Sequence, residues 1–218
     1  MADSSSGRVA ERKRHFWLVG FFVRLIKEKP LGTVGAAITL LLLLTGIFAD
    51  FLAPYGMNEI TTDYLAPPSA QYWLGTDNIG RDLLSRVIFG ARISVIVGLT
   101  ASIITTIISI ILGMMCGYIG GKFDLIVQRF VDAVMCMPAL ILMMVIMSVI
   151  GQGMWQVIIV LGIRWGIGGS RLIRSAVIGI KENVYVQAAE AIGCSTTRIL
   201  TRHILPNIIA PAWFYGLV

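Results

Sequence analysis

The residues able to do chemistry are few, and most of them point away from catalysis. The two histidines, His15 and His203, stand far apart in the chain, too isolated to form a metal site. The Gly-Gly-Lys at 120–122 is not followed by Ser or Thr, and no GxxxxGK[ST] phosphate loop occurs anywhere. Three cysteines, Cys116, Cys136 and Cys194, lack CxxC spacing, and two lie inside apolar runs, so they read as reduced packing residues. Met135, Met137, Met143, Met144 and Met147 resemble a thioether track for copper, but flexible apolar packing accounts for them better. With no Ser–His–Asp or Cys–His set and no paired carboxylates in the apolar runs, the reading is of no catalytic residue, no metal and no cofactor held by this chain. One residue remains chemically exposed. Arg164 interrupts a long apolar run, and a guanidinium at membrane depth costs about 2.5–3.5 kcal/mol, so it must face protein or water. Two readings stand for it: it lines a central pathway and holds a carboxylate, or it pairs with another helix or snorkels.

The elements that must position these residues are membrane helices. Apolar residues make up 56% of the 218, charged residues 14%, and the mean hydropathy is +0.82. Soluble domains run near 45–50% apolar and about 25% charged, so the chain is an integral membrane protein of the all-α, polytopic class. A bilayer core takes roughly 20 apolar residues to cross. Four full spans are predicted, at 31–51, 93–121, 125–150 and about 155–173, with a partial fifth beginning near Ile204, where the sequence stops at Val218. Gly-Gln-Gly at 151–153 is a tight turn. Pro138 should kink the third span, which makes it a candidate feature of a pathway together with Arg164. Gly113, Gly117 and Gly121 recur every four residues and read as a helix-packing stripe.

Three regions follow: a basic segment at 1–30, the first span with an external loop at 31–91, and a core at 92–218. The formal charge of +6 gathers before the first span, in Arg8, Arg12, Lys13, Arg14, Arg24, Lys27 and Lys29. Few aromatic residues are interleaved there, so anionic headgroups explain it better than nucleic acid. Lys and Arg counts in the short loops place the N-terminus in the cytoplasm, 52–91 outside and about 174–205 inside. Outside, Gly75 and Gly80 allow turns, Asp77, Arg81, Asp82 and Arg86 pair locally, and a helix from Asp82 to Gly90 should lie at the interface.

The inner stretch QAAEAIGCSTTRILTRHILP, 187–206, is built as two short helices around a glycine. Gly193 should end the first in the left-handed conformation, Ser195 or Thr196 should cap the second, and Pro206 should break the chain before the next apolar run. As an amphipathic connector it would lie on headgroups. As a docking elbow, its small alanines would admit a partner surface and Arg198 and Arg202 would meet acidic groups.

That stretch resembles the EAA loop of ATP-binding-cassette importer permeases, with Ala188, Ala189, Gly193, Leu205 and Pro206 in register, Gln187 in place of the usual Glu and His203 where Ile is frequent. A second stretch, LGTDNIGRDLLSRVIFGARISVIVG at 74–98, resembles the C-type permeases for dipeptides, oligopeptides and nickel, as do DFLAPYG and APPS in the outer loop. The likeness runs from about Lys27 onward. It implies a bacterial inner-membrane permease subunit with six spans, of which this sequence would carry about two thirds. It also implies partners: cytoplasmic ATPase subunits that use ATP, a second homologous permease and an external solute-binding protein. By the same likeness the 184–206 loop, through Gln187, Ala188, Ala189, Gly193, Arg198, Leu205 and Pro206, would couple ATPase motion to the membrane helices. A non-transporting membrane anchor or assembly subunit is the rival that the early stop suggests.

Overall fold

The computed structural model describes residues 30–209 and Ala212, so the basic segment and the end of the fifth apolar run lie outside the described residues. The chain forms two compact units, one up to Val95 and one from Ile96. All regular structure among the described residues is helical apart from one isolated bridge, Thr76 to Asp82.

In the first unit, α1 (Pro30–Ile47) is apolar on every side, as a helix surrounded by lipid must be. A single turn, α2 (Ala49–Leu52), leads into the loop. Asp50 is not left alone at this membrane edge: both Nη atoms of Arg92 donate to its carboxylate at 3.0 and 2.6 Å, and Arg92 Nε donates to the Gly46 carbonyl. Gly46 admits this contact, since a Cβ there would sit 3.2 Å from the Arg92 Cα.

The loop at 53–82 is a knot of specific bonds. Asp77 Oδ1 accepts from the Ile79 and Arg81 N–H groups, and Oδ2 accepts from Arg81 Nε (2.9 Å) and Arg86 Nη1 (2.6 Å). Among the described residues Asp82 pairs with no arginine; its carboxylate instead accepts the Ser85 N–H at 2.7 Å and so caps the next helix. Gly75 and Gly80 have φ of +79° and +81°, and a Cβ on either would meet a carbonyl oxygen at 2.4 or 2.5 Å. Both turns therefore require glycine.

That next helix, α3 (Leu83–Ile119), runs unbroken for 37 residues. The separate interfacial helix expected at 82–90 is thus absent, because no proline or cap separates Gly90 from Ile93. At 1.5 Å per residue α3 is about 55 Å long, well beyond a hydrocarbon core of about 30 Å.

In the second unit the far part of α3 turns at Gly120 and Gly121, both with positive φ, into α4 (Gly121–Cys136). Then come α5 (Ala139–Ile150), α6 (Met154–Lys181), α7 (Val184–Ala191) and α8 (Thr196–Ile199). Pro138 does more than kink the third span: α4 and α5 meet at 93°. Met137 and Pro138 are both extended (ψ 133° and 125°), as expected for a proline and the residue before it, so two helices form where one bent helix was expected. Among the described residues three helices, α1, α3 and α6, are long and apolar enough to cross a membrane, and the bent pair makes a fourth if it is one span.

The α3–α6 seam uses small residues from both sides. A Cβ on Gly113 would lie 2.6 Å from the Ile173 Cβ and the Ser170 carbonyl, and one on Gly117 would lie 2.8 Å from the Val177 Cβ. Farther along, the roles reverse: Gly162 takes Ile104 and Gly166 takes Ile108 at 2.5–2.9 Å. Ser109 Oγ donates to the Gly166 carbonyl at 3.0 Å and Thr105 Oγ1 to that of Gly162 at 3.3 Å. Gly121 does not join the stripe. Nothing lies within 4 Å of its Cβ position, and it serves the turn instead.

Candidate functional site

The elbow begins where α6 ends. The N–H-to-carbonyl ladder of α7 closes at Gly193, whose φ is +80°: the Gly193 N–H donates to the Glu190 carbonyl and the Cys194 N–H to the Ala189 carbonyl. This is a Schellman cap, with glycine at the left-handed position. Ser195 occupies the N-cap of α8 with extended backbone, and its carbonyl accepts the Ile199 N–H, but its hydroxyl makes no capping bond.

Pro206 does not break the chain. Helix resumes at 205–209 through a π turn at Leu200–Ile204, in which the Leu205 N–H donates to the Leu200 carbonyl five residues back. A proline removes one donor and crowds the carbonyl four residues earlier. A locally widened turn relieves both, so the expected exit at Pro206 is corrected to a continuous, π-bulged helix.

One face of the elbow is fastened to α6. Val186, Ala189, Ile199, Ile204 and Ile208 are buried together with Ile173 and Val177. Tyr118 at the end of α3 donates its hydroxyl to Glu190 Oε1 (3.0 Å), and Lys181 Nζ donates to the Tyr118 carbonyl (2.9 Å) while lying 5.1 Å over its ring. The opposite face is open and apolar at its centre: Val184 and Ile192 are 81% and 80% exposed, with Ala188 between them at helical spacing and Tyr185 beside them.

The predicted coupling residues therefore divide. Gln187, Ala188, Gly193, Arg198 and Pro206 are exposed, Leu205 is half-buried, and Ala189 is buried within the chain itself. Ala189 packs the elbow onto its own core and offers nothing to a partner. The Gln187 side chain donates to the Glu182 carbonyl at 3.2 Å, joining α7 to the end of α6.

The remaining predicted residues lie away from the elbow. Arg164 is half-buried on α6, its Nε buried and without a hydrogen-bond partner. Its neighbours along the helix are paired: Arg174 with Asp124 (2.6 and 2.5 Å), and Arg171 with Asp132, which Arg129 also approaches at 3.6 Å. Sequence reasoning missed these α4–α6 pairs because Asp124 and Arg174 are 50 residues apart. It also missed Gly162 and Gly166, although their four-residue spacing inside an apolar run is the signal that found Gly113 and Gly117.

Comparison with known proteins agrees with this architecture. Residues 109–217 match the family model described as binding-protein-dependent transport system inner membrane component. Residues 20–68 match the N-terminal TM domain of oligopeptide transport permease C. The dipeptide transport system permease protein DppC of Bacillus subtilis is 35% identical over 84% of this chain and 58% of its own length. The oligopeptide transport system permease protein OppC of the same organism is 35% identical over 83% of this chain and 60% of its own. A probable D,D-dipeptide transport system permease protein of Escherichia coli is 36% identical over 97% of this chain and 71% of its own. The chain thus spans about three fifths of the two Bacillus relatives. Its helices, its elbow and these matches together make the chain a multi-pass membrane protein that belongs to the binding-protein-dependent transport system inner membrane component family.

Proposed function

We propose that the chain is the C-type permease subunit of an ATP-driven importer of di- or oligopeptides, and that the elbow at 184–206 docks on a separate cytoplasmic ATPase. The permeases of dipeptides and oligopeptides among its relatives favour peptides over nickel as the cargo. A second homologous permease and an external solute-binding protein complete the assembly, and the N-terminus faces the cytoplasm. The observation that carries the reading is the two-faced elbow. Its inner face is packed on α6, while Val184, Ala188 and Ile192 form an exposed apolar stripe with no cover among the described residues.

A push on that stripe has a short mechanical route. The buried cluster passes it to α6, and the glycine seam, too tight to slide without separating, passes it to α3. Cycles of ATPase closure would then rock these helices between outward- and inward-facing arrangements.

The test is Ala188→Glu in the importer purified from its native host. A carboxylate at the centre of the stripe would be buried unpaired on docking, so the ATPase should no longer co-purify, while insertion of the permease is retained. Undiminished co-purification and coupled transport in that variant would refute docking through this face.

A further inference from the structure

The side of α6 turned away from α3 carries a feature that the coupling reading leaves unused. Val157, Val160, Leu161 and Arg164 recur at i, i+3, i+4 and i+7, so they share one face of α6. The seam residues Gly162, Gly166, Ile173 and Val177 occupy the opposite face. The first three of that ridge form one wall of an open cleft whose other wall is Leu140, Met143, Met144 and Met147 of α5. Arg164 stands one turn beyond the cleft on the same ridge. One heptad further, Arg171 is already taken by Asp132.

Arg164 is unlike its neighbours. Arg171 and Arg174 each have a carboxylate from α4, whereas among the described residues no carboxylate pairs with Arg164, and its Nε is buried without an acceptor. A guanidinium within a membrane helix must face protein or water rather than lipid, so Arg164 is turned away from the acyl chains, and the cleft lies one turn along the ridge that carries it. Methionines make an apolar wall that adapts to side chains of differing shape. Building on the proposed peptide import, we infer that this ridge is a transit site for the C-terminal residue of the cargo peptide: Arg164 takes the carboxylate, and the methionine-lined cleft takes an apolar side chain. Charge complementarity selects this occupant over a lipid chain, which would leave the guanidinium without a counter-ion.

The test compares a peptide having a free C-terminus with its C-terminal amide, using the whole importer in proteoliposomes with its binding protein. Each rate is divided by the wild-type rate for the same peptide, so that the binding protein's own preference cancels. Arg164→Gln should lower uptake of the free acid about tenfold, the scale of one hydrogen bond to a charged group, and leave the amide unchanged. Arg164→Lys should keep most of the preference. Equal loss for both peptides, or loss for neither, overturns the inference. Should Arg164→Gln not assemble, Met143→Ala decides, because it keeps the charge: uptake of peptides ending in Leu should fall more than that of peptides ending in Gly, and an equal effect overturns the site. A wild-type complex that hydrolyses ATP but moves neither peptide refutes peptide import itself, and the inference with it.

Discussion

Replacing Gly113 by Ala tests the α3–α6 seam independently of any transport role. The added Cβ would lie 2.6 Å from the Ile173 Cβ, 2.6 Å from the Ser170 carbonyl and 2.9 Å from the Arg174 N. Ordinary carbon contacts sit near 3.5–4.0 Å, so the helices must part by about 1 Å. Two of the three obstructing atoms are backbone and the third is the Cβ of a β-branched residue, so no rotamer change relieves the clash. Overpacking of this kind costs about 1–3 kcal/mol. Alanine also raises helix propensity relative to glycine by up to about 1 kcal/mol, which would mask part of the loss. Gly98 on the same helix supplies the correction, since nothing lies within 4 Å of its Cβ position. The difference between Gly113→Ala and Gly98→Ala isolates the steric part. Thermal unfolding in detergent should place Gly113→Ala below Gly98→Ala by several degrees, at about 2–4 °C per kcal/mol for a chain of this size. Equal midpoints would refute the close seam.

Three further outcomes are expected. Gly193→Val keeps the space around the residue but forces a β-branched side chain to a φ of +80°. It should loosen the Schellman cap at about 1–2 kcal/mol and uncouple ATP hydrolysis from transport, read as more ATP consumed per peptide moved; an unchanged ratio would count against the elbow as the coupling element. Exchanging Asp124 and Arg174 should restore most of the extraction yield and stability lost in Asp124→Asn, because the bidentate pair rather than either residue alone joins α4 to α6. The cost of the single change should fall between about 0–1 kcal/mol for exposed pairs and the 3–5 kcal/mol of fully buried ones. Finally, the Arg81 N–H, opposed in part by desolvation and joined by the Ile79 N–H and the Arg81 side chain, holds the Asp77 carboxyl well below the usual carboxylate range. A lowered folded-state value means its contribution is fully present above about pH 4, the ordinary Asp range, and is lost only as the pH falls through the folded-state value. Protease resistance of the 53–82 loop should therefore persist at pH 4 in the wild type and be lost at all pH values in Asp77→Asn.

Composition and spacing determined much of this protein. A chain so apolar can satisfy its backbone in lipid only through helices or a closed barrel, and runs near 20 residues without alternation select helices. Gly193 was legible because a left-handed cap strongly favours glycine, and so was the four-residue rhythm of Gly113 and Gly117. The motif at 187–206 carried the family likeness because its spacing is local. What tertiary structure decided is what depends on partners distant in sequence or on how a local rule is overridden. Pro206 looks like a stop, but a π turn lets the helix pass through it, and the packing of Ile204 and Ile208 on α6 favours that continuation. Gly121 follows the glycine period, yet a turn claims it. Ala188 and Ala189 are neighbours of one type, and only the docking of α7 on α6 buries one and leaves the other free. The same holds for the arginines of α6. Nothing local separates Arg164 from Arg171 and Arg174; α4, which ends where the chain bends by 93° at Pro138, brings carboxylates to two of them, and among the described residues none reaches the third.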